Sequence, residues 1–375
     1  MGMGGEAPGP VMGCRPKRHM VVLSGWKLGL ARAGLVVGSL LLPALAFEGV
    51  ARVMGLAPPG HPHTEGPECT RLCSDPVLRF ENNAGVHVRE VYPQDDGSER
   101  VAEISIDERG LRGWSATPEK PAGMFRIACL GDSQTFGEGC SDDETWPAHL
   151  QERLDPGRDR IEVINFGVNA YDTEQEVRLL ETRALAYDPD LVLLAYFVND
   201  AAVRSTAHKG KPLDFGKPSK LHDFLTSDGW FHSLRQVSCL VDWWADRVER
   251  HESLEYFGSS RGVLYADDAA GWLACRRELR RAQALLRKSN LPFVVVLYPY
   301  MFRSGDNLGS HDSYATVKTF LDRSKIRYVD VEDAYAGMDV ERFQVHPRDV
   351  HTNGAGNRIA ADAIGTFLVQ DGLVP

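Results

Sequence analysis

The sequence predicts an α/β protein built on a parallel sheet with helices covering both faces. Two observations carry this expectation. From Phe125 onward, short apolar runs alternate with amphipathic stretches, and the runs are continuous, as strands buried on both faces require. Parallel neighbours also need long crossovers, which lay helices over the sheet.

The elements follow in order. The first strand lies in RIACLGDS and its helix in TWPAHLQERL; the second strand lies in IEVINFGV and its helix in TEQEVRLLETRALAY; the third strand lies in DLVLLAYFVND. An interruption runs from about Ala201 to Ala266. The pattern resumes where Trp272, Cys275, Leu279, Ala282 and Leu286 fall on one helical face, ahead of the buried-strand run PFVVVLYPY. A helix near Tyr314 to Ser324, a strand in RYVDVEDAY and a C-terminal helix from about Ala355 complete the domain. Upstream, from Ala57 to about Pro121, Pro, Gly, His and charged residues accumulate, as in a stalk leading to an accessory subdomain. Within it ISIDERGLRG has a strand-like alternation that ends in a glycine turn. The expected division is residues 1–56 as a cytoplasmic tail with a signal or anchor segment, 57–121 as linker and accessory subdomain, and 122–375 as the α/β domain, with its insertion at about 201–266.

Composition narrows the function classes. A chain of 375 residues, 43% hydrophobic and 25% charged, has ample material for a core. Its net charge of -10 excludes nucleic acid as an expected partner, because phosphate-backbone binding needs a basic surface. Seven cysteines are too few and too scattered for a disulfide scaffold, and only Cys69 and Cys73 suggest a pair, either bridged or as two free thiols. With no CxxC or HExxH spacing, neither metal nor cofactor is expected.

The N-terminus reads as a targeting segment. Arg15, Lys17, Arg18, Lys27 and Arg32 precede an uncharged apolar run from Ala33 to Phe47, so the remainder is expected outside the cytoplasm. That run would rise only about 22 Å as a helix, short of a hydrocarbon core of roughly 30 Å, so spanning needs its flanks. Ala44-Leu45-Ala46 fits a cleavage site, which leaves an uncleaved membrane anchor, the favoured reading, beside cleaved secretion. The Gly- and Pro-rich stretch before Met20 reads as lying upstream of an alternative start.

In sheets of this kind functional residues gather beyond the carboxyl ends of the strands. Ser133 closes the first strand in LGDSQTFGEG, where Gly131, Gly137 and Gly139 permit a tight turn that exposes a hydroxyl. Gly167 ends the second strand in NFGVNAYDT and Asn199 the third in FVND, positions from which a backbone N–H and a side-chain amide aim at a developing oxyanion. A hydroxyl needs a base to become a nucleophile at neutral pH, and HPRDVHTNGAGNRIAA supplies His351, with Asp349 two residues earlier to orient the imidazole.

These four segments, in this order, resemble the signature blocks of the SGNH/GDSL hydrolase superfamily over roughly residues 124 to 200 and 290 to 372. The resemblance implies a flavodoxin-like three-layer fold, Ser133 as nucleophile, His351 as base, and the Ser133, Gly167 and Asn199 amides as oxyanion donors. Three departures stand out. Arg348 occupies the place of the family's usual acid, Phe197 that of a glycine, and Thr352 that of a proline. His346 is the competing histidine, without the H-x-N-x-x-G context. Asp132 is expected to bond local backbone, Cys129 to be core, and Cys140 to lack an activating partner. In the insertion, Trp230, Phe231, Trp243, Trp244, Tyr256 and Phe257 are expected to pack it onto the core, with a roof over the site as the other reading.

The expected activity is therefore acyl-enzyme hydrolysis of an extracytoplasmic ester, small-molecule, glycan or lipid, by a protein held at the membrane through its N-terminal segment. The alternatives are a polysaccharide O-acetyltransferase using the same triad and a non-catalytic glycan-binding module on a hydrolase scaffold. Joint presence of Ser133, Gly167, Asn199 and His351 speaks against the last.

Overall fold

A computed structural model describes residues 25–54, 62–94, 98–201, 221, 224, 230–257, 264–304, 307–346 and 349–375. Residues Arg15, Lys17, Arg18, Met20 and Arg348, the stretch 202–220, and the side chains of Tyr256 and Phe257 lie outside the described residues.

The chain divides into two compact units, Met1–Val53 and Met54–Pro375. In the first, one helix, α1 (Trp26–Val53), runs for 28 residues and contains a window of mean hydropathy 1.9 with none of it buried. At 1.5 Å per residue α1 rises about 42 Å, more than the roughly 30 Å hydrocarbon core. The flanks of the apolar run are helical, and they supply the length that the run alone lacks.

In the second unit the chain first forms short antiparallel strands. These are β1 (His63–Glu65), β2 (Thr70–Leu72), β3 (Phe80–Asn82), β4 (Val86–Pro93) and β5 (Glu99–Ile106). β1, β4 and β5 make one sheet, and β2 pairs with β3. Val88, Ile104 and Ile106 from β4 and β5 bury themselves with Phe136, so this sheet packs directly on the turn that carries Ser133.

The main sheet is parallel and five-stranded. Its members are β6 (Phe125–Gly131), β7 (Ile161–Asn165), β8 (Leu191–Tyr196), β9 (Phe293–Leu297) and a last strand, Arg327–Asp330, in the order last strand, β9, β8, β6, β7. Two short hairpins flank that last strand in sequence. β10 (Arg303–Ser304) pairs with β11 (Asn307–Leu308) ahead of it; with Arg327–Asp330 numbered β12, β13 (Gln344–His346) pairs with β14 (Asp349–Thr352) after it. Ile127, Leu130, Leu191 to Tyr196 and Val294 to Leu297 are all buried, which accounts for the continuous apolar runs. Each large aliphatic side chain so buried contributes about 1.5–3 kcal/mol.

Helices complete three layers. They are α2 (Ser133–Phe136), α3 (Trp146–Leu154), α4 (Thr173–Thr182), α5 (Trp230–Val237), α6 (Cys239–Phe257), α7 (Ala270–Lys288), α8 (His311–Ser324) and α9 (Gly354–Gln370). α3 packs with α9 and α4 with α7, while Trp272 of α7 meets Phe320 of α8 edge to face at 5.5 Å. The strand order is that of the flavodoxin-like class, which places a ligand crevice where the chain reverses direction, between the carboxyl ends of β6 and β8.

Three expectations are refined. The helix after β7 stops at Thr182 and gives way to a 3-10 turn, Ala184–Tyr187, that Asp188 closes in a left-handed conformation (φ 50). RYVDVEDAY is a strand only to Asp330, whose carboxylate accepts from Glu332 N–H at 3.0 Å and opens another 3-10 turn. In the insertion, Arg235 is buried between Asp242 and Glu249 and ties α5 to α6, but Trp230, Trp243 and Trp244 are 68%, 52% and 46% exposed. Those three indoles do not pack the insertion onto the core. Cys69 and Cys73 are free thiols.

Candidate active site

Ser133 opens α2 directly after β6. Asp132 caps that helix, its Oδ1 accepting from Gln134 N–H at 2.9 Å, so its side chain serves local backbone. On the far side of the site, the motif HTNGAG acts through Asn353: Oδ1 accepts from Gly356 N–H at 3.1 Å and caps α9, while Nδ2 donates to the Gln344 carbonyl at 2.9 Å. One asparagine thus fixes both the β13–β14 hairpin and the helix that follows it.

The hairpin delivers His351. Its Nε2 lies 2.7 Å from Ser133 Oγ, and its Nδ1 lies 2.5 Å from Asp349 Oδ1. The same Asp349 oxygen accepts from His351 backbone N–H at 3.0 Å. Burial works against charge on the imidazole, yet Asp349 first and Glu138 second outweigh it and raise its pKa above the ordinary value. Burial likewise opposes ionisation of Asp349, but the His351 charge and two hydrogen bonds from His351 hold its carboxyl below the usual range.

The other expected groups separate. Asn199 sits in a 3-10 turn at the carboxyl end of β8, and its Oδ1 is buried without a hydrogen-bond partner among the described residues. Gly167 does not offer its N–H to the site: that amide donates to Asn165 Oδ1 at 2.8 Å. The expectation of an oxyanion donor there is corrected. Gly167 is needed for close approach instead, since a Cβ would stand 2.2 Å from Phe136 N. Three residues on, Ala170 adopts a left-handed conformation (φ 65), and its N–H has no hydrogen-bond partner among the described residues. His346, the competing histidine, turns Nε2 to the Pro93 carbonyl at 2.9 Å and is buried.

Sequence reasoning missed four further residues. Asn165 Nδ2 donates to the Thr135 carbonyl at 2.7 Å, lashing β7 to α2. Glu138 Oε2 lies 3.5 Å from His351 Nε2. Behind it, Glu90 Oε2 accepts from Gly139 N–H at 2.8 Å and from Tyr92 OH at 3.2 Å. Glu138 and Asn165 had local signals, their places in LGDSQTFGEG and NFGVNAYDT; β4 carries no motif. Glu138, Asp349 and His351 offer ligand atoms within 4.8 Å of one another, but both imidazole nitrogens are already engaged, by Ser133 and Asp349. Cys140, whose thiol burial pushes up to about 12, donates to the Thr352 carbonyl at 3.2 Å and is structural. Phe197 is buried 5.8 Å from the Tyr300 ring, and Thr352 is buried with Oγ1 3.3 Å from Gln134 Oε1. A cavity of about 750 Å³ beside α3, lined among others by Trp114, His149 and Arg158, is lined by neither Ser133 nor His351.

The GDSL-like Lipase/Acylhydrolase family model matches residues 129–359, well over half the chain. The chain belongs to this family. The GDSL-like family is one of hydrolases acting on ester bonds, and its α/β sheet is the one described above. No match is found among curated proteins. Among solved structures, the GDSL-like chain is similar to a putative lipolytic G-D-S-L protein of Desulfitobacterium hafniense DCB-2, with 12% identity, TM-score 0.37, and coverage of 64% of this chain and 98% of that one. A lipase/acylhydrolase of Enterococcus faecalis gives 13% identity, TM-score 0.38, and coverage of 66% and 97%. A catalytic mutant of an acetylxylan esterase from Geobacillus stearothermophilus gives 16% identity, TM-score 0.37, and coverage of 68% and 97%.

Proposed function

We propose that this GDSL-like hydrolase works through an acyl-enzyme, with Ser133 as nucleophile, His351 as general base and Asp349 as the carboxylate that orients it. One observation carries the reading: the unbroken path from Ser133 Oγ to His351 Nε2 at 2.7 Å and from Nδ1 to Asp349 at 2.5 Å. Along it, Ser133 Oγ forms a bond to the ester carbonyl carbon while its proton passes to Nε2. The carbonyl electron pair moves onto oxygen. Collapse of that intermediate breaks the bond to the alcohol, which takes the proton from Nε2; water then repeats the sequence and frees the acid and Ser133. Ser133 N–H, the Asn199 side-chain amide and, in place of Gly167, Ala170 N–H are the donors we assign to the oxyanion.

For substrate we propose an extracytoplasmic ester, an O-acetylated glycan or a lipid, reached by a domain that α1 holds at the outer face of the membrane. Residues 57–121 are in this reading an accessory element of the 122–375 hydrolase domain. Support comes from the length of α1, with Lys27 and Arg32 at its start, and from the family chemistry. The test is labelling with a fluorophosphonate and peptide mapping, followed by turnover of short-chain esters and acetylated glycans. The label is expected on Ser133, and Ser133→Ala is expected to lose labelling and turnover while folding as before. Wild-type esterase rates in pure Ser133→Ala protein would overturn the assignment.

A further inference from the structure

His351 Nε2 faces two groups, not one. Ser133 Oγ lies 2.7 Å away, and Glu138 Oε2 stands 3.5 Å from the same nitrogen. Glu138 is not there by side-chain freedom alone. It sits at the tip of a turn between Gly137 and Gly139, both left-handed (φ 83 and φ 72), where a Cβ would approach Thr145 Cγ2 to 2.5 Å and Val345 Cγ1 to 2.8 Å. The turn is pinned from the accessory sheet, since Glu90 of β4 accepts from Gly139 N–H at 2.8 Å and is itself bonded by Tyr92 OH. A strand outside the α/β layers therefore sets where a carboxylate meets the imidazole.

We propose that Glu138 is a second carboxylate partner of His351, a positioning residue on the Ser133 side of the ring that takes up the Nε2 proton's charge once Ser133 has given that proton away. The inference rests on the acyl-enzyme reading above. In the resting neutral imidazole, Nδ1–H points to Asp349 and the Nε2 lone pair accepts the Ser133 hydroxyl. After proton transfer Nε2 is a donor, Oγ is bound to carbon, and Glu138 is the nearby anion that remains on that side. The imidazolium is then held between two carboxylates, which favours the transfer.

The same arrangement has a cost at low pH. Among the described residues, the charged and titratable groups around the ring are Asp349 and His346 from the β13–β14 hairpin, Asp132 and Glu138 around α2, and Glu90 and Tyr92 from β4, with Arg112 beyond Glu90. Among these, acids outnumber bases. Burial raises the Glu138 carboxyl, with Asp349 and Glu90 adding to the effect and the His351 charge opposing it, so the His351–Glu138 pair retains a proton at pH values where a lone imidazole has lost it. A protonated Nε2 cannot accept from Ser133. Reactivity is thus lost as pH falls through a midpoint above the ordinary histidine value of about 6.5.

The test reads the rate of fluorophosphonate labelling of the full chain against pH, for wild type, Glu138→Gln and Glu90→Gln. Glu138→Gln is expected to move the midpoint down by about one pH unit or more and to lower the high-pH plateau several-fold. Glu90→Gln keeps an acceptor for Gly139 N–H and is expected to move the midpoint less, in the same direction. An unchanged midpoint in Glu138→Gln, or equal shifts in the two variants, overturns the proposal, the latter because it marks bulk charge instead of a contact at Nε2. Should Glu138→Gln not fold, the wild-type His351 ring nitrogens titrated by NMR decide the matter: a midpoint at or below about 6.5 is the adverse result. Wild type that labels while Glu138→Gln keeps the wild-type profile sinks this inference alone; wild type that labels at no pH removes the acyl-enzyme reading as well.

Discussion

Asp349 stands two residues before His351, where the family resemblance places an acid three residues before it. Residues i and i+2 of a strand project from the same face, and β14 spans Asp349–Thr352, so the aspartate and the histidine stand side by side. One carboxylate oxygen then reaches both the His351 backbone N–H and Nδ1. In the proposed mechanism that contact fixes the tautomer in which Nε2 accepts from Ser133. Asp349→Asn is expected to lower kcat on the order of 10³-fold or more with KM little changed, whereas Asp339→Asn, at the start of the 3-10 turn Val340–Phe343, is expected to leave both near wild type. Steady-state kinetics on a short-chain ester checks this; near-wild-type kcat for Asp349→Asn across the pH range would mean a Ser–His dyad. Ser133 and His351 stood out in sequence through their motifs, LGDSQTFGEG and HPRDVHTNGAG, and the structure brings their side chains within 2.7 Å. Gly167 was misread because a glycine at a strand end serves close packing as readily as an exposed amide, and nothing local separates the two.

At the scale of elements, the sheet was legible because a strand buried on both faces is nearly continuous in apolar residues, as LVLLAY is and as FRIACLG is apart from Arg126, whose guanidinium is paired with Glu162. The β4–β5 strands were not foreseen as parts of the site, and the segment of Asp349 and His351 was foreseen as a loop and not as the β13–β14 hairpin. They are short or polar, and their burial is decided by what they pack against. The junction of β7 with α2 is the tightest of these contacts: Asn165 bridges the Thr135 carbonyl and Gly167 N–H, and the backbone of Phe136 leaves no room for a side chain at Gly167. Gly167→Ala is therefore expected to destabilise the domain by about 1–3 kcal/mol through overpacking. Thermal or urea unfolding measures it, and stability within about 0.5 kcal/mol of wild type would show that α2 yields easily.

For the whole molecule, the proposed membrane attachment rests on the apolar helix, and its proposed direction on the basic residues ahead of the apolar run. Protease added to intact spheroplasts is expected to digest residues 62–375; protection until lysis would place the domain on the cytoplasmic side. The α5–α6 insertion was the least legible region. Its aromatic content signalled contact surface, but amino-acid type alone does not say whether an indole faces the core, and three of them face outward.

The Ser133–His351 hydrogen bond closes a span of 218 residues. The helix that anchors the His351 hairpin, α9, comes late among the described elements and docks against α3, the first long helix after the serine. A folding chain can therefore lay down the sheet, the serine turn and the strands β1 to β5 while Ser133 still lacks its proposed base. Loop closure over such a distance comes late and slowly, after local contacts have formed. On the proposed mechanism Ser133 acquires its base only when segments 218 residues apart have met, so activity reports long-range folding and not local structure alone.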